Sequence, residues 1–263
     1  MENKKLNYQF TVFGDFSDIS PNNSKTTINL LSLYEEKNFM PSIFQEILSD
    51  STPAQVNNRI ALENAEGWYI SIGTSRLDIS MSYKEKSNYK DMDINVVTEK
   101  AVELITKLFT EYEKSGNRLA LNTAYILGDT ESRILTNKYN EKEKILSFYN
   151  NHNSDEWNER IMSQVYCEKF NNETLNVGTN INKVKNAQII IEDKSVECNG
   201  VILQMDINTT PENKSYRFNT KNIKKFFDVA IEYNNKIYSR AIMGDMLETL
   251  SSKVQTNNLK EFK

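Results

Sequence analysis

Glycine, proline, cysteine and histidine are all scarce in this chain: its 263 residues hold 8 Gly, 4 Pro, 2 Cys and a single His. With so few chain breakers, no Gly- or Pro-rich linker separates one part of the chain from another. Cys167 and Cys198 stand far apart, and with one histidine they cannot supply the clustered ligands of a structural zinc site. Both are read as small buried residues of a reducing compartment. A Ser–His–acid triad would have to use His152, which lies in the polar run Tyr149-Asn150-Asn151-His152-Asn153-Ser154 and is read as a surface histidine. Neither GxxxxGK[ST] nor GxGxxG occurs, so no loop of the kind that cradles phosphates is present. No apolar run approaches the roughly 18 residues of a membrane span, and none follows the N-terminal lysines as a secretory leader requires. The expectation is a cytoplasmic protein without membrane contact. The formal net charge of −4 comes from interspersed acids and bases. That argues against nucleic acid as partner, because phosphate neutralisation needs clustered Lys and Arg.

Alternation is what the sequence has in quantity. From Arg59 to Tyr83, Ile60 and Leu62, then Trp68, Ile70 and Ile72, then Leu77, Ile79 and Met81 occupy every second position. Polar breaks at Asn64–Gly67 and Gly73–Ser75 separate the three runs, which therefore read as a three-stranded antiparallel meander. Asn7–Phe16, Arg118–Leu127, Ala187–Asp193 and Val201–Asn208 read as further strands, with Ala187–Asp193 apolar enough for a central place. Alternation also resumes from Trp157, through Ile161, Val165 and Cys167 and on across Asn171-Asn172 to Leu175 and Val177. The segment around Ile43, Phe44, Ile47 and Leu48 suits either a helical turn or an extended strand. Val97, Ala101, Leu104, Ile105, Leu108 and Tyr112 recur at three- and four-residue steps, the stripe of an amphipathic helix from Ile94 or Val96 to Lys114, closed at Ser115-Gly116-Asn117. A shorter helix is expected after Thr26, and a second amphipathic one after Asn219 or Thr220.

The fold expected is α+β, in two mainly antiparallel sheet-plus-helix halves, residues 1–140 and 155–263. The order of elements also raises a pseudo-duplication, with Ala124–Asp129 (AYILGD) after one helix opening and Arg240–Asp245 (RAIMGD) after the other.

Few residues point to chemistry. Asp78, Asp206 and Glu192 are acids on or beside strands, where metal-dependent nucleases gather such groups. Each also reads simply as an acid on a solvated face. Glu192 and Lys194 have an E-x-K spacing, but no Pro-Asp dipeptide stands one strand earlier. The turn Gly73-Thr74-Ser75-Arg76 offers Ser75 and a guanidinium, and Trp68 follows the preceding turn. These three, Trp68, Ser75 and Arg76, are the candidate binding residues. No cofactor is expected. Of the many aromatics, 13 Tyr, 12 Phe and 2 Trp, those on strands such as Trp68, Tyr69 and Tyr83 have no Arg/Lys ladder beside them for stacking bases, and suit a core or a protein interface.

Phe39-Met40-Pro41 with Phe44-Gln45-Glu46, Arg59–Leu62, Gly67–Gly73 and Arg76–Ile79 together resemble a sporadically distributed bacterial family of this length whose function is uncharacterised. Val201–Asn208, Phe226-Phe227 and Ala241-Ile242 fit it late in the chain, whereas the opening NYQFTVFGDF departs from its proline-led entry. The resemblance implies a fold and no site; its patchy distribution suggests mobile defence cargo. The leading expectation is a non-enzymatic protein-interaction subunit, an accessory or neutralising factor in phage defence or counter-defence, binding another protein or itself. The alternatives are a metal-dependent nuclease or hydrolase, and a protein that binds a small ligand or nucleotide signal between the halves.

Overall fold

The computed structural model describes residues 3–48, 55–82, 93–143, 155–191 and 194–243. They form one nine-stranded sheet, antiparallel throughout, with helices on one of its faces. The strands are β1 (Lys4–Gly14), β2 (Met40–Leu48), β3 (Gln55–Glu63), β4 (Trp68–Ile72), β5 (Arg76–Ser82), β6 (Gly116–Leu127), β7 (Trp157–Cys167), β8 (Glu173–Ile191) and β9 (Lys194–Thr209). They lie in the order β2-β3-β4-β5-β1-β6-β9-β8-β7. The helices are α1 (Ser24–Leu33), α2 (Ile94–Glu111), α3 (Asp129–Glu143) and α4 (Thr220–Met243).

The alternation seen in the sequence decides which face the helices cover. Tyr8, Phe10 and Val12 of β1 face the same side as Leu77, Ile79 and Met81 of β5 and Leu119 and Leu121 of β6, and all are buried. Onto them pack Val97, Ala101, Leu104 and Leu108 from α2 and Phe226, Phe227 and Ala230 from α4, forming a single core. Phe10 meets Phe227 edge to face, 5.1 Å between ring centres. At the far side Tyr139 of α3 stacks on Trp157 of β7, with ring centres 4.3 Å apart. Among the described residues most of the aromatics are buried in this core.

Several expectations are refined by the backbone. The ambiguous segment around Ile43 is a strand, β2, at one edge of the sheet, where Pro41 is tolerated because an edge can spare an N–H. The end of α2 falls at Tyr112, and Glu113, with φ 48°, takes the left-handed position that the sequence assigned to the glycine turn. Gly116 serves packing instead. A Cβ there would stand 2.6 Å from Cγ1 of Val12, and its backbone pairs with Phe218. The run Ala187–Ile191 is not central. It pairs only with Cys198–Lys194 at the distal end of the β8–β9 hairpin, beyond the residues that meet β7 and β6. The AYILGD and RAIMGD echo joins unlike elements, since Ala124–Leu127 is strand and Arg240–Met243 is helix. His152 and Glu192 lie outside the described residues.

Candidate functional site

The face of the sheet opposite the helices is polar, and its side chains form rows across the strands. One row runs Asp78, Thr11, Ala120, Asn208, Asn176, Gln164, and the next runs Ser80, Gln9, Asn122, Asp206, Gly178, Met162. A third passes through Asn7, Ala124, Gln204, Asn180 and Arg160. Carboxamides dominate, and they bond to one another. Gln164 Nε2 donates to Asn176 Oδ1 at 3.3 Å, Asn176 Nδ2 to Asn208 Oδ1 at 3.2 Å, and Asn180 Nδ2 to Gln204 Oε1 at 3.2 Å. Over these rows lies a shallow hollow of about 380 Å³, floored at Gly178 and walled by Met162 and Arg160. It offers mixed donors and acceptors and contains no aromatic platform, so stacking a base is not what it is built for.

Of the acids expected from the sequence, Asp78 and Asp206 lie on this face but are not brought together. Asp78 accepts from Gln9 Nε2 at 3.0 Å, from Thr11 Oγ1 at 2.6 Å and from Arg76 Nε at 2.6 Å. Asp206 accepts from Asn208 Nδ2 at 3.0 Å. Strands β1 and β6 separate them, so three inter-strand spacings, on the order of 14 Å, lie between. That is too far for one metal ion to bridge. Among the described residues no three His, Cys, Asp or Glu side chains are grouped to hold a metal.

Arg76 ends the turn as expected, and its guanidinium is committed to Asp78 while also lying over the ring of Phe13, 5.9 Å from its centre. Ser75 is exposed in that turn. Trp68 is 4 % exposed and packs into the core, so its indole has no free face. The β4–β5 turn is held by a residue that the sequence did not flag. Glu46 of β2 accepts from Thr74 N–H at 2.9 Å and from Thr74 Oγ1 at 2.5 Å. Beneath it Arg59, 3 % exposed, donates to the carbonyls of Ile72, Gly73, Phe16 and Ser17. Burial pulls the Arg59 guanidinium down from its ordinary value, against the pull of Glu46. That ordinary value is so high that it stays charged. Both cysteines are buried, and burial pushes the Cys198 thiol up, away from reactivity.

Exposed apolar side chains gather at the two edges of the sheet. On β2 and β3, Met40, Ile43, Ile47 and Val56 are all more than half exposed; on β7, Ile161 and Tyr166 are as well, and Met162 is half exposed. Among the described residues no strand pairs with the outer side of β2 or of β7. Strand β4 pairs with β3 only from Ile60 to Glu63, so the Phe44–Leu48 part of the β2–β3 hairpin extends past it. The edges thus combine unpaired backbone groups with apolar side chains, the two ingredients of strand addition. Pro41 in an otherwise strand-like run was the available sequence signal for the β2 edge. No protein-family model matches the chain, and no curated protein matches it significantly.

Proposed function

We propose that this protein is a non-enzymatic interaction subunit that binds another polypeptide, a different protein or a second copy of itself, by adding a strand to a free edge of its sheet. The observation that carries this reading is the β2 edge, whose outer side no described strand pairs with and where Ile43 and Ile47 are 65 % and 68 % exposed. Backbone bonds of an added strand supply affinity and the alternate side chains supply specificity. The carboxamide face supports the same reading from the other side: its acids are engaged with neighbouring side chains and dispersed, which suits a scaffold more than a reaction centre. The test is native mass spectrometry of the tagged protein from its host, with Ile43→Lys, Ile161→Lys and the control Lys224→Ala. One edge variant should release the bound chain while the control retains it. Complexes indifferent to both edge variants, or no complex at all, would overturn the reading.

We also infer a pseudo-duplication in which β1-α1-(β2 to β5)-α2 corresponds to β6-α3-(β7 to β9)-α4. What supports it is that β1 and β6 are antiparallel neighbours, that each meander returns to its own first strand, and that α2 and α4 pack on each other.

A further inference from the structure

In β2, Ile43 and Ile47 stand symmetrically on either side of Gln45. Pro41 lies opposite Leu62 of β3. Having no N–H, proline fits a ladder position whose N–H would point away from the neighbouring strand. Alternation then turns the N–H and C=O groups of Ile43, Gln45 and Ile47 outward as well, and those of Ser42, Phe44 and Glu46 toward β3. The same odd-numbered residues put their side chains on the helix side of the sheet, in the row positions of Ile60 and Val56. There Ile47 and its cross-strand neighbour Val56 are 68 % and 54 % exposed, and Gln45 is exposed between Ile43 and Ile47.

Resting on the interaction reading above, we propose that the occupant of this edge is β2 of a second copy, antiparallel, about a two-fold axis through Gln45. A two-fold contact pairs one patch with itself, so it requires a self-complementary surface. In this register Gln45 faces Gln45 of the second copy, and Ile43 faces Ile47 in both directions. Two equal apolar clusters result, each made of Ile43 from one copy with Ile47 and Val56 of the other. Between them the two carboxamides, each both donor and acceptor, can bond to one another. The three outward-facing residues meet their counterparts, closing about six main-chain hydrogen bonds.

Neighbouring registers do worse. A slip by one residue moves the isoleucines to the wrong face. Centring on Phe44 sets Ile43 against Gln45 and Ile47 against Pro41, which has no N–H to give. The other edge has no such stripe, because alternation on β7 places Ile161 on one face and Met162 and Tyr166 on the other. An interface of one strand and three apolar side chains per copy is smaller than the about 1,600 Å² of a standard interface. The dimer is therefore expected to dissociate in the micromolar range.

Cysteine cross-linking of the full chain tests the register. Directly opposed residues of a hydrogen-bonded antiparallel pair have Cα atoms about 5.5 Å apart, within disulfide reach. Under mild oxidation Gln45→Cys should convert to a covalent dimer of doubled mass, and Ile43→Cys mixed with Ile47→Cys should also cross-link, whereas Ile43→Cys alone should not. Sedimentation of the wild type from 1 to several hundred micromolar should show a monomer–dimer equilibrium that Ile47→Lys abolishes while leaving the circular dichroism spectrum unchanged. A wild type that stays monomeric, or a dimer insensitive to Ile47→Lys and without the Gln45→Cys cross-link, overturns the proposal. If Ile161→Lys breaks that dimer, or if β2 captures a different protein in a manner that Ile47→Lys abolishes, the second-copy assignment falls and the interaction reading stands. A monomer whose host complexes ignore both edge variants overturns both.

Discussion

Arg59 shows how much of this molecule depends on single polar side chains. Its guanidinium serves four backbone carbonyls where the β1 exit, the end of β4 and the following turn converge. Three of those carbonyls, on Ile72, Gly73 and Phe16, are bonded in buried positions, so losing the donor costs more than the bonds were worth in net terms. Arg59→Met should lower unfolding stability by about 3 kcal/mol, seen as a reduced urea midpoint with an unchanged slope. Lysine at the same position keeps the charge but cannot reach all four acceptors, and should recover only part of the loss. An unaltered midpoint in both variants would contradict this role. The sequence displayed Arg59 only as the polar partner of Ile60 in an alternating strand; its buried role depends on a loop 42 residues away, at Ser17 and Phe16. Arg76 was legible for a local reason, because its partner Asp78 is two residues along the same strand.

At the scale of elements, period-2 alternation made β1, β3, β4, β5, β6 and β9 readable, since each has one buried face. It was less informative for β2, where Ile43, Gln45 and Ile47 are exposed on the helix side and so carry no inside–outside contrast. The polar face was hidden for another reason. Asn176, Gly178, Asn180 and Asn182 also alternate along β8, but asparagine and glycine are turn formers and read as breaks, not as the outer row of a strand. Between helix and sheet a buried polar link was invisible in the sequence. Asn234 of α4 accepts from Thr123 Oγ1 at 2.7 Å and donates to the Tyr125 hydroxyl at 3.0 Å, all three being buried. Asn234→Leu takes one partner from each of the Thr123 and Tyr125 hydroxyls, Tyr125 keeping its bond to Tyr8, and should cost about 1 kcal/mol. Adding Thr123→Val should restore part of that, because removing both partners is cheaper than removing one. Strict additivity of the two changes in thermal unfolding would contradict the coupling.

For the whole molecule, the sequence carried the α+β class and the antiparallel pairing of near neighbours, because hairpins are set by local turns. It could not carry the joining of all nine strands in one sheet. That depends on β1 pairing with β6 and β6 with β9, contacts between segments more than 100 residues apart in the first case and 74 to 88 in the second. Once the sheet is continuous and covered on one face only, its two ends become the places where a further strand can attach, and β2 presents the more apolar of them. The central claim is this attachment. Amide hydrogen exchange of β2, compared between dilute protein and the assembled complex, tests it most directly. The amides of Ile43, Gln45 and Ile47 should exchange freely in dilute protein and become protected on assembly, while those of Phe44 and Glu46 are protected in both. An assembled complex in which the three outward amides exchange as fast as before would contradict strand addition at this edge.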